Sequence, residues 1–268
     1  MKYKPISNSF YKKTRKAFTS QMKSKSLAVF NSNDIYPISA DSTVPFEQHR
    51  DIFYLSGIDQ EQTILLLFPE SLNPKYREIL FVRKTNPKII IWEGAKLNKE
   101  QARELSGIET ILWLEDFKSI FQQLSTQCET FYFNTNEHYR QNVETETRED
   151  RFIKWCKDNY PAHKTAKSNP ILQELRAVKT QEEIQQIQIA CDITEKGIRR
   201  ILSFIKPGVW EYEIEAELIH EFIRNRSRGF AYEPIIASGS NANILHSIEN
   251  NKHCKSGELR LMDVAAED

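Results

Sequence analysis

Residues 230–246 read FAYEPIIASGSNANILH, and residues 258–263 read ELRLMD. Two strand-like segments, Tyr232–Ala237 and Leu259–Val264, overlap these stretches, and each contains a short apolar run. Short apolar runs bounded by turn residues are typical of strands. The first run is followed by an Asn-rich loop that ends at His246. These stretches therefore predict a sheet with a polar loop at its edge.

Leu259, Leu261 and Asp263 are alternate residues of the second segment, and Asp263 is the last of the three. Since alternate side chains of a strand share one face, Asp263 is predicted to lie on the same side as the two leucines. A carboxylate on an apolar face is costly unless it is paired or binds a metal. Asp263 is therefore the strongest candidate metal ligand. A partnered buried aspartate and a strand end that reaches solvent are the alternatives, and spacing alone does not separate them.

His246 is the second candidate site residue, beside the apolar pair Ile244 and Leu245. A neutral imidazole at the edge of a sheet can donate a hydrogen bond to a developing oxyanion. One histidine and one carboxylate do not make a metal site, because a hard divalent cation takes more oxygen ligands.

Two long amphipathic helices are predicted before these strands. The sequence TQEE at residues 180–183 is a capping box, and isoleucines then recur at helical spacing as far as Ile205. Lys206-Pro207-Gly208 ends this helix, and a second one follows. The second helix has glutamates early and arginines late, an order that suits the helix dipole. We interpret these charges as structural. The helix pair and the two strands that follow it predict an α+β domain over residues 171–268.

The first half of the chain alternates strands and helices. Strands are predicted at Leu27–Phe30, Ile52–Leu55, Thr63–Phe68, Ile79–Val82, Lys88–Trp92, Thr110–Leu114 and Thr130–Phe133, and helices at Ser9–Lys23, Asn98–Ser106, Glu115–Leu124 and Arg148–Lys157. This order is typical of a mixed α/β layer domain. We place that domain at residues 1–170, with Ala166–Pro170 as a connector.

Composition narrows the class of protein. The 268 residues carry 37 basic and 37 acidic side chains, and 40% of them are hydrophobic. Zero net charge argues against a nucleic-acid protein that relies on a global positive field. No apolar run is long enough for a signal peptide or a membrane span. The four cysteines form no C-x-x-C pair, so a cytoplasmic protein with cysteines as small core residues is predicted.

Four ordered segments carry a resemblance to a known family. They are DSTVPFEQHRDIFYLSG at residues 41–57, IWEG at 91–94, LRAVKTQEEI at 175–184, and IIASGSNANILH at 235–246 followed by LMD at 261–263. In this order the chain resembles aminopeptidase P, the Xaa-Pro aminopeptidase of the creatinase, prolidase and methionine aminopeptidase superfamily. The resemblance implies an α/β chain in which a mixed-sheet creatinase-type domain precedes a truncated α+β pita-bread domain.

The resemblance also implies roles for individual residues. The family holds two divalent metals, usually manganese, in a set of two Asp, one His and two Glu ligands. Asp263 corresponds to the first Asp ligand, His246 to the His that stabilises the tetrahedral intermediate, and Tyr232 to a tyrosine near the metals. Trp92 corresponds to a tryptophan that reaches a neighbouring subunit's site. Implied partners are a peptide with proline at its second position and further copies in a dimer or tetramer, with neither nucleic acid nor membrane.

The chain departs from the family at its end. The family's second Asp lies about ten residues beyond the first, and its other ligands follow later, whereas this sequence stops five residues after Asp263. We therefore expect these 268 residues to be an inactive N-terminal fragment of such an enzyme, with no metal stably bound.

Three alternatives stay open on the sequence. A prolidase, which is an Xaa-Pro dipeptidase, shares the fold and metals. A non-catalytic relative would bind peptides or proteins through the same fold. The fragment could also serve as an N-domain oligomerisation module.

Overall fold

The computed structural model describes residues 4–135 and 144–267, which form two compact units. One unit runs from Pro5 to Val178 and the other begins at Lys179. The division lies eight residues beyond the predicted boundary at 170. The reason is that a helix after residue 168 buries Leu172 in the core of the first unit.

The first unit alternates helices and strands as predicted. Its elements are α1 (Asn8–Ser20), β1 (Ser26–Asn31), β2 (Pro37–Ser39), β3 (Ser42–Thr43), α2 (Arg50–Ser56), β4 (Ile64–Leu67), β5 (Glu78–Val82), α3 (Pro87–Glu93), α4 (Lys99–Ser106), β6 (Thr110–Trp113), α5 (Phe117–Ser125), β7 (Thr130–Phe133), α6 (Arg148–Asn159), β8 (Lys164–Lys167) and α7 (Asn169–Ala177).

A six-stranded mixed sheet organises this unit, in the order β6-β5-β4-β1-β7-β8. β4 is antiparallel to both of its neighbours, and the other pairs are parallel. Every residue of β1 is buried, because Ala28 and Phe30 face one core while Leu27 and Val29 face the other. Strands covered on both faces are expected to be continuously apolar. The predicted mixed α/β domain is confirmed.

Two predicted strands are wrong, because both segments are helices. Ile52–Leu55 lies in α2, which the His49 side chain caps by accepting from the Asp51 amide. Lys88–Trp92 lies in α3, where Asn86 caps the helix and Pro87 occupies its first turn. In both cases the cap outweighs the strand preference of isoleucine and the aromatic residues.

The predicted connector at Ala166–Pro170 is also wrong. Its first two residues complete β8, which pairs in parallel with β7 from Thr130↔Lys164 to Phe133↔Lys167. Its last two residues begin α7, with Pro170 in the first turn where a missing amide hydrogen costs nothing.

The same four residues, Leu-Ser-Gly-Ile, end two helices of this unit. They occur at 55–58 after α2 and at 105–108 after α4. Gly57 and Gly107 are left-handed, with φ of 68° and 69°, a conformation that favours glycine. A side chain at either glycine would also collide with α1, at Tyr11 or at Lys12 respectively. The repeat therefore lets α1 pack closely across both helix ends.

The second unit consists of α8 (Gln181–Phe204), α9 (Glu211–Arg224), β9 (Gly229–Phe230), β10 (Ile235–Ser238), β11 (Arg260–Asp263) and β12 (Ala266–Glu267). The capping box predicted at Thr180 and Glu183 is present, as is the helix pair. Ile201, Ile214, Leu218, Phe222 and Ile236 form the centre of a core between the helices and β10. β10 pairs with β11, and β9 pairs with β12.

Three of the four cysteines are buried as predicted, and Cys191 is exposed. Burial raises the pKa of the Cys128 and Cys156 thiols to about 12, so neither is an activated nucleophile. Within residues 4–135 and 144–267, no helix is long and apolar enough to cross a membrane.

Candidate active site

Asp263 occupies the last position of β11. The strand pairs antiparallel with β10, so that Ile235 lies opposite Asp263 and Ser238 lies opposite Arg260. Asp263 and Leu261 share one face, as predicted, but both side chains are exposed, Leu261 by 40%. This exposure corresponds to the alternative of a strand end that reaches solvent, because the described residues cover the other face of β11. As a metal ligand, Asp263 stays a prediction.

Tyr232 contacts Asp263 directly. Its hydroxyl donates a hydrogen bond to the Asp263 Oδ1 atom at 2.5 Å across 31 residues of sequence. This hydrogen bond is the main cause that raises the pKa of the Tyr232 phenol to about 12, with smaller contributions from burial and from the charge of Asp263. The structure thus brings together two of the four predicted site residues: the Asp263 carboxylate and the Tyr232 hydroxyl, which orients it.

We expect the Tyr232 phenol to ionise near pH 12 and Asp263→Asn to lower that midpoint towards the ordinary value of about 10. Because the folded state favours the neutral phenol, the stabilisation from this pair is present below about pH 10 and is lost as the pH rises through about 12. The Cζ chemical shift of ¹³C-labelled tyrosine, assigned with Tyr232→Phe, measures the midpoint. Equal midpoints in the parent and Asp263→Asn chains would contradict the assignment.

His246 lies in a turn that follows β10 and a short 3-10 helix at Gly239–Asn243. Its side chain is exposed. Among the described residues, no hydrogen bond joins it to Tyr232 or Asp263. The predicted position at the edge of a sheet is thus replaced by a loop, and its role towards an oxyanion stays a prediction.

Trp92 belongs to the first unit, near the end of α3, and is 86% exposed. An ion-pair network anchors the same end of this helix. Arg83 donates two hydrogen bonds to Glu93, at 2.6 and 2.9 Å, and Lys96 lies 2.7 Å from Glu61. The network leaves the indole ring presented to solvent, and its contact with a neighbouring subunit stays a prediction.

The residues present fit a divalent metal only in part. Asp263 offers an exposed carboxylate oxygen beyond the one that Tyr232 occupies, which is the ligand type that hard divalent cations prefer. However, the described residues contain no group of three or more His, Cys, Asp or Glu side chains that could hold a metal. One carboxylate can contribute to a metal site but cannot form it.

Sequence reasoning missed two polar residues near this sheet. Glu211 was interpreted as a charge that complements the dipole of α9, but it is completely buried. Asn250 is also buried and has a left-handed backbone, with φ of 47°. Asn250 lies within the polar stretch Glu249-Asn250-Asn251-Lys252, which offers no periodic signal, and only the folded chain shows what these two side chains contact.

Comparison with known proteins gives two family matches along the chain. Residues 11–132 match the family described as aminopeptidase P, N-terminal domain, and residues 185–267 match metallopeptidase family M24. The Xaa-Pro aminopeptidase of Escherichia coli is 29% identical over 98% of this chain and 59% of its own length. Human Xaa-Pro aminopeptidase 3 is 27% identical over 88% of this chain and 46% of its own length.

Solved structures give the same result. The low-pH form of Escherichia coli aminopeptidase P has a TM-score of 0.87 at 27% identity, covering 98% of this chain and 60% of its own. Proline aminopeptidase P II from Yersinia pestis has a TM-score of 0.86 at 25% identity, covering 97% and 60%.

The fold and the two matches are those of an N-terminal α/β domain of the aminopeptidase P type, followed by a segment similar to the M24 metallopeptidase class. The chain spans between 50% and 60% of the length of these bacterial relatives. Within the class, the chain is similar to aminopeptidase P over both units. The predicted family and fold class are confirmed.

Proposed function

We propose that this chain is the N-terminal part of an Xaa-Pro aminopeptidase, which removes the first residue of a peptide when proline is second. The observation that carries the proposal is the collinear match of 98% of the chain to Escherichia coli aminopeptidase P, in sequence and in structure. An aminopeptidase P variant solved with substrate has a TM-score of 0.84 to this chain.

Three residues of the second unit have proposed roles. Asp263 would ligate one of two divalent metals, which we propose to be manganese, and Tyr232 would hold its carboxylate in orientation through the 2.5 Å hydrogen bond. When bound, such metals polarise a carbonyl and lower the pKa of water. His246 would donate a hydrogen bond to the oxyanion that forms at the scissile carbonyl.

We further propose that the intact protein is a cytoplasmic homo-oligomer. The oligomeric part of this proposal is supported by the exposed Trp92, which lies on an anchored helix of the first unit. Large exposed aromatic side chains are enriched at protein interfaces. The 268 residues alone would not catalyse the reaction, because the part that the structure describes supplies one candidate carboxylate ligand rather than a metal-binding group.

Peptide hydrolysis under a manganese titration tests the proposal. We expect the full-length protein that contains these residues to release the first residue of an Xaa-Pro tripeptide, and the 268-residue chain to show no turnover. Asp263→Asn in the full-length protein should reduce kcat by at least about 10²-fold, because it replaces a charged ligand. Glu258→Gln, two residues before the start of β11, is the matched control.

Two results would contradict this assignment. Turnover by the 268-residue chain alone would show that a complete site exists within it. Cleavage of an Xaa-Pro dipeptide in preference to the tripeptide would identify a prolidase instead.

A further inference from the structure

The free edge of β10 is held by side chains rather than by another strand. The amides of Ile236 and Ser238 are two residues apart and therefore point to the same edge. Ile236 donates to the Oδ1 atom of Asn250 at 3.0 Å, and Ser238 donates to the Oε1 atom of Glu211 at 2.5 Å. These two side chains thus replace the hydrogen bonds that a neighbouring strand would supply.

The Glu211 carboxylate joins both ends of the loop at 239–251. Its Oε1 atom accepts from Ser238, just before the loop, and its Oε2 atom accepts from the Lys252 amide, just after it, at 3.0 Å. The Lys252 ammonium crosses the same gap, donating to the Ser238 carbonyl at 3.1 Å and to the Ser240 hydroxyl at 2.8 Å. The loop that these contacts close is the one that carries His246.

Asn250 makes further hydrogen bonds at the C-terminal end of this loop. Its Nδ2 atom donates to the Glu215 carboxylate at 2.8 Å and to the Pro234 carbonyl at 3.1 Å. Glu211 and Glu215 are one turn apart on α9, so they present their carboxylates from one face of the helix. The helix therefore fixes β10 and both loop ends as one assembly.

Burying the Glu211 carboxylate costs free energy, which indicates that this side chain has a specific structural role. A carboxylate at full burial is tolerated only when hydrogen bonds satisfy it. The two amides that satisfy this one are separated by 14 residues of chain. An apolar side chain could fill the same volume, but it could not set the distance between the two loop ends, because only a bidentate acceptor bonds to both.

We propose that Glu211, assisted by Asn250, is a positioning residue for peptide hydrolysis, which fixes the loop that places His246. The inference rests on the proposed function, since it assigns Glu211 an effect on the reaction through His246. Glu211 itself touches neither substrate nor metal.

A double-mutant cycle in the full-length protein tests this role. In Glu211→Gln the side-chain NH₂ must face one of two amide donors, so one loop end is released. We expect kcat to fall about 10- to 100-fold with KM changed less than threefold, as a displaced catalytic group predicts. In a His246→Ala background, Glu211→Gln should have almost no further effect. Glu213→Gln is the matched control, because Glu213 only caps the Trp210 amide at 2.7 Å and glutamine can do the same.

Hydrogen exchange on the 268-residue chain provides a second readout. Glu211→Gln should accelerate exchange at residues 239–251 while the centres of α8 and α9 remain protected. Asn250→Asp keeps the acceptor for Ile236 but loses both donors and places a second carboxylate beside Glu215, so it should also accelerate exchange at the same loop. It replaces Glu211→Gln if that variant does not fold.

The outcomes separate the two proposals. Additive losses from Glu211→Gln and His246→Ala, or unchanged exchange in the loop, would overturn the positioning role. Absence of Xaa-Pro cleavage by the parent protein would overturn the proposed function, and accelerated loop exchange would then support the structural tie without a catalytic consequence for His246.

Discussion

Phe121→Ala is expected to lower the free energy of unfolding of the first unit by about 3–5 kcal/mol, the range measured for large core truncations. The Phe121 ring is fully buried on α5. Its centroid lies 5.2–5.6 Å from five other rings, those of Phe117, Phe131, Phe152, Trp155 and Tyr160. Alanine would remove all five contacts and leave a cavity that neighbours on α5, α6 and β7 could fill only in part.

Urea denaturation followed by far-ultraviolet circular dichroism measures this loss. Tryptophan fluorescence identifies the first unit's transition, because three of the four tryptophans, Trp92, Trp113 and Trp155, lie in that unit. Phe121→Leu should cost less than about 1.5 kcal/mol because it conserves most of the volume. Ile91→Ala is the exposed control, since Ile91 is 80% exposed, and it should change stability by less than about 0.5 kcal/mol. A loss below about 1 kcal/mol in Phe121→Ala would show that this ring cluster does not hold the core.

Most of the fold could be predicted from local pattern. Thr63–Phe68, Ile79–Val82 and Thr130–Phe133 are short apolar runs, and each agrees with a strand of the central sheet to within one residue at either end. The misassigned segments fail for a common reason. Ile52–Leu55 and Lys88–Trp92 have the composition of strands, but each follows a capping residue and precedes a glycine. Helix ends were therefore stronger evidence there than composition.

The candidate site could likewise be predicted from the sequence only in part. The shared face of Leu261 and Asp263 follows from alternation along one strand, so the sequence predicts it. The exposure of that face does not follow, because it depends on which elements cover the sheet. Glu211 shows the limit most clearly. Its partners lie 27 and 41 residues away, and the adjacent glutamates Glu213 and Glu215 give it the pattern of a solvated helix end.

Arg15→Met is expected to destabilise the first unit by about 3–5 kcal/mol, because it leaves two buried carbonyl acceptors without their donor, each at a cost of about 1–3 kcal/mol. Arg15 lies on α1 and is fully buried. Its Nη1 atom donates to the Leu55 carbonyl at 2.9 Å and to the Ser106 carbonyl at 3.0 Å. These carbonyls belong to the last turns of α2 and α4, the negative ends of two helix dipoles. Its Nε atom donates to Glu78 at 3.0 Å.

The variants of this network separate the helix ends from the ion pair. Glu78→Gln should cost no more than about 1.5 kcal/mol, because the Glu78 side chain is 35% exposed and water can replace its partner. Arg15→Lys keeps the charge, but its single nitrogen cannot replace both Nη1 at the two carbonyls and Nε at Glu78, so its loss should fall between the two. Urea denaturation of the four chains gives the order. If Arg15→Met were no less stable than Glu78→Gln, the salt bridge alone would explain the role of Arg15. The predicted larger loss would instead show that one guanidinium joins the ends of α2 and α4 to α1, which is the junction that the repeated Leu-Ser-Gly-Ile sequence forms.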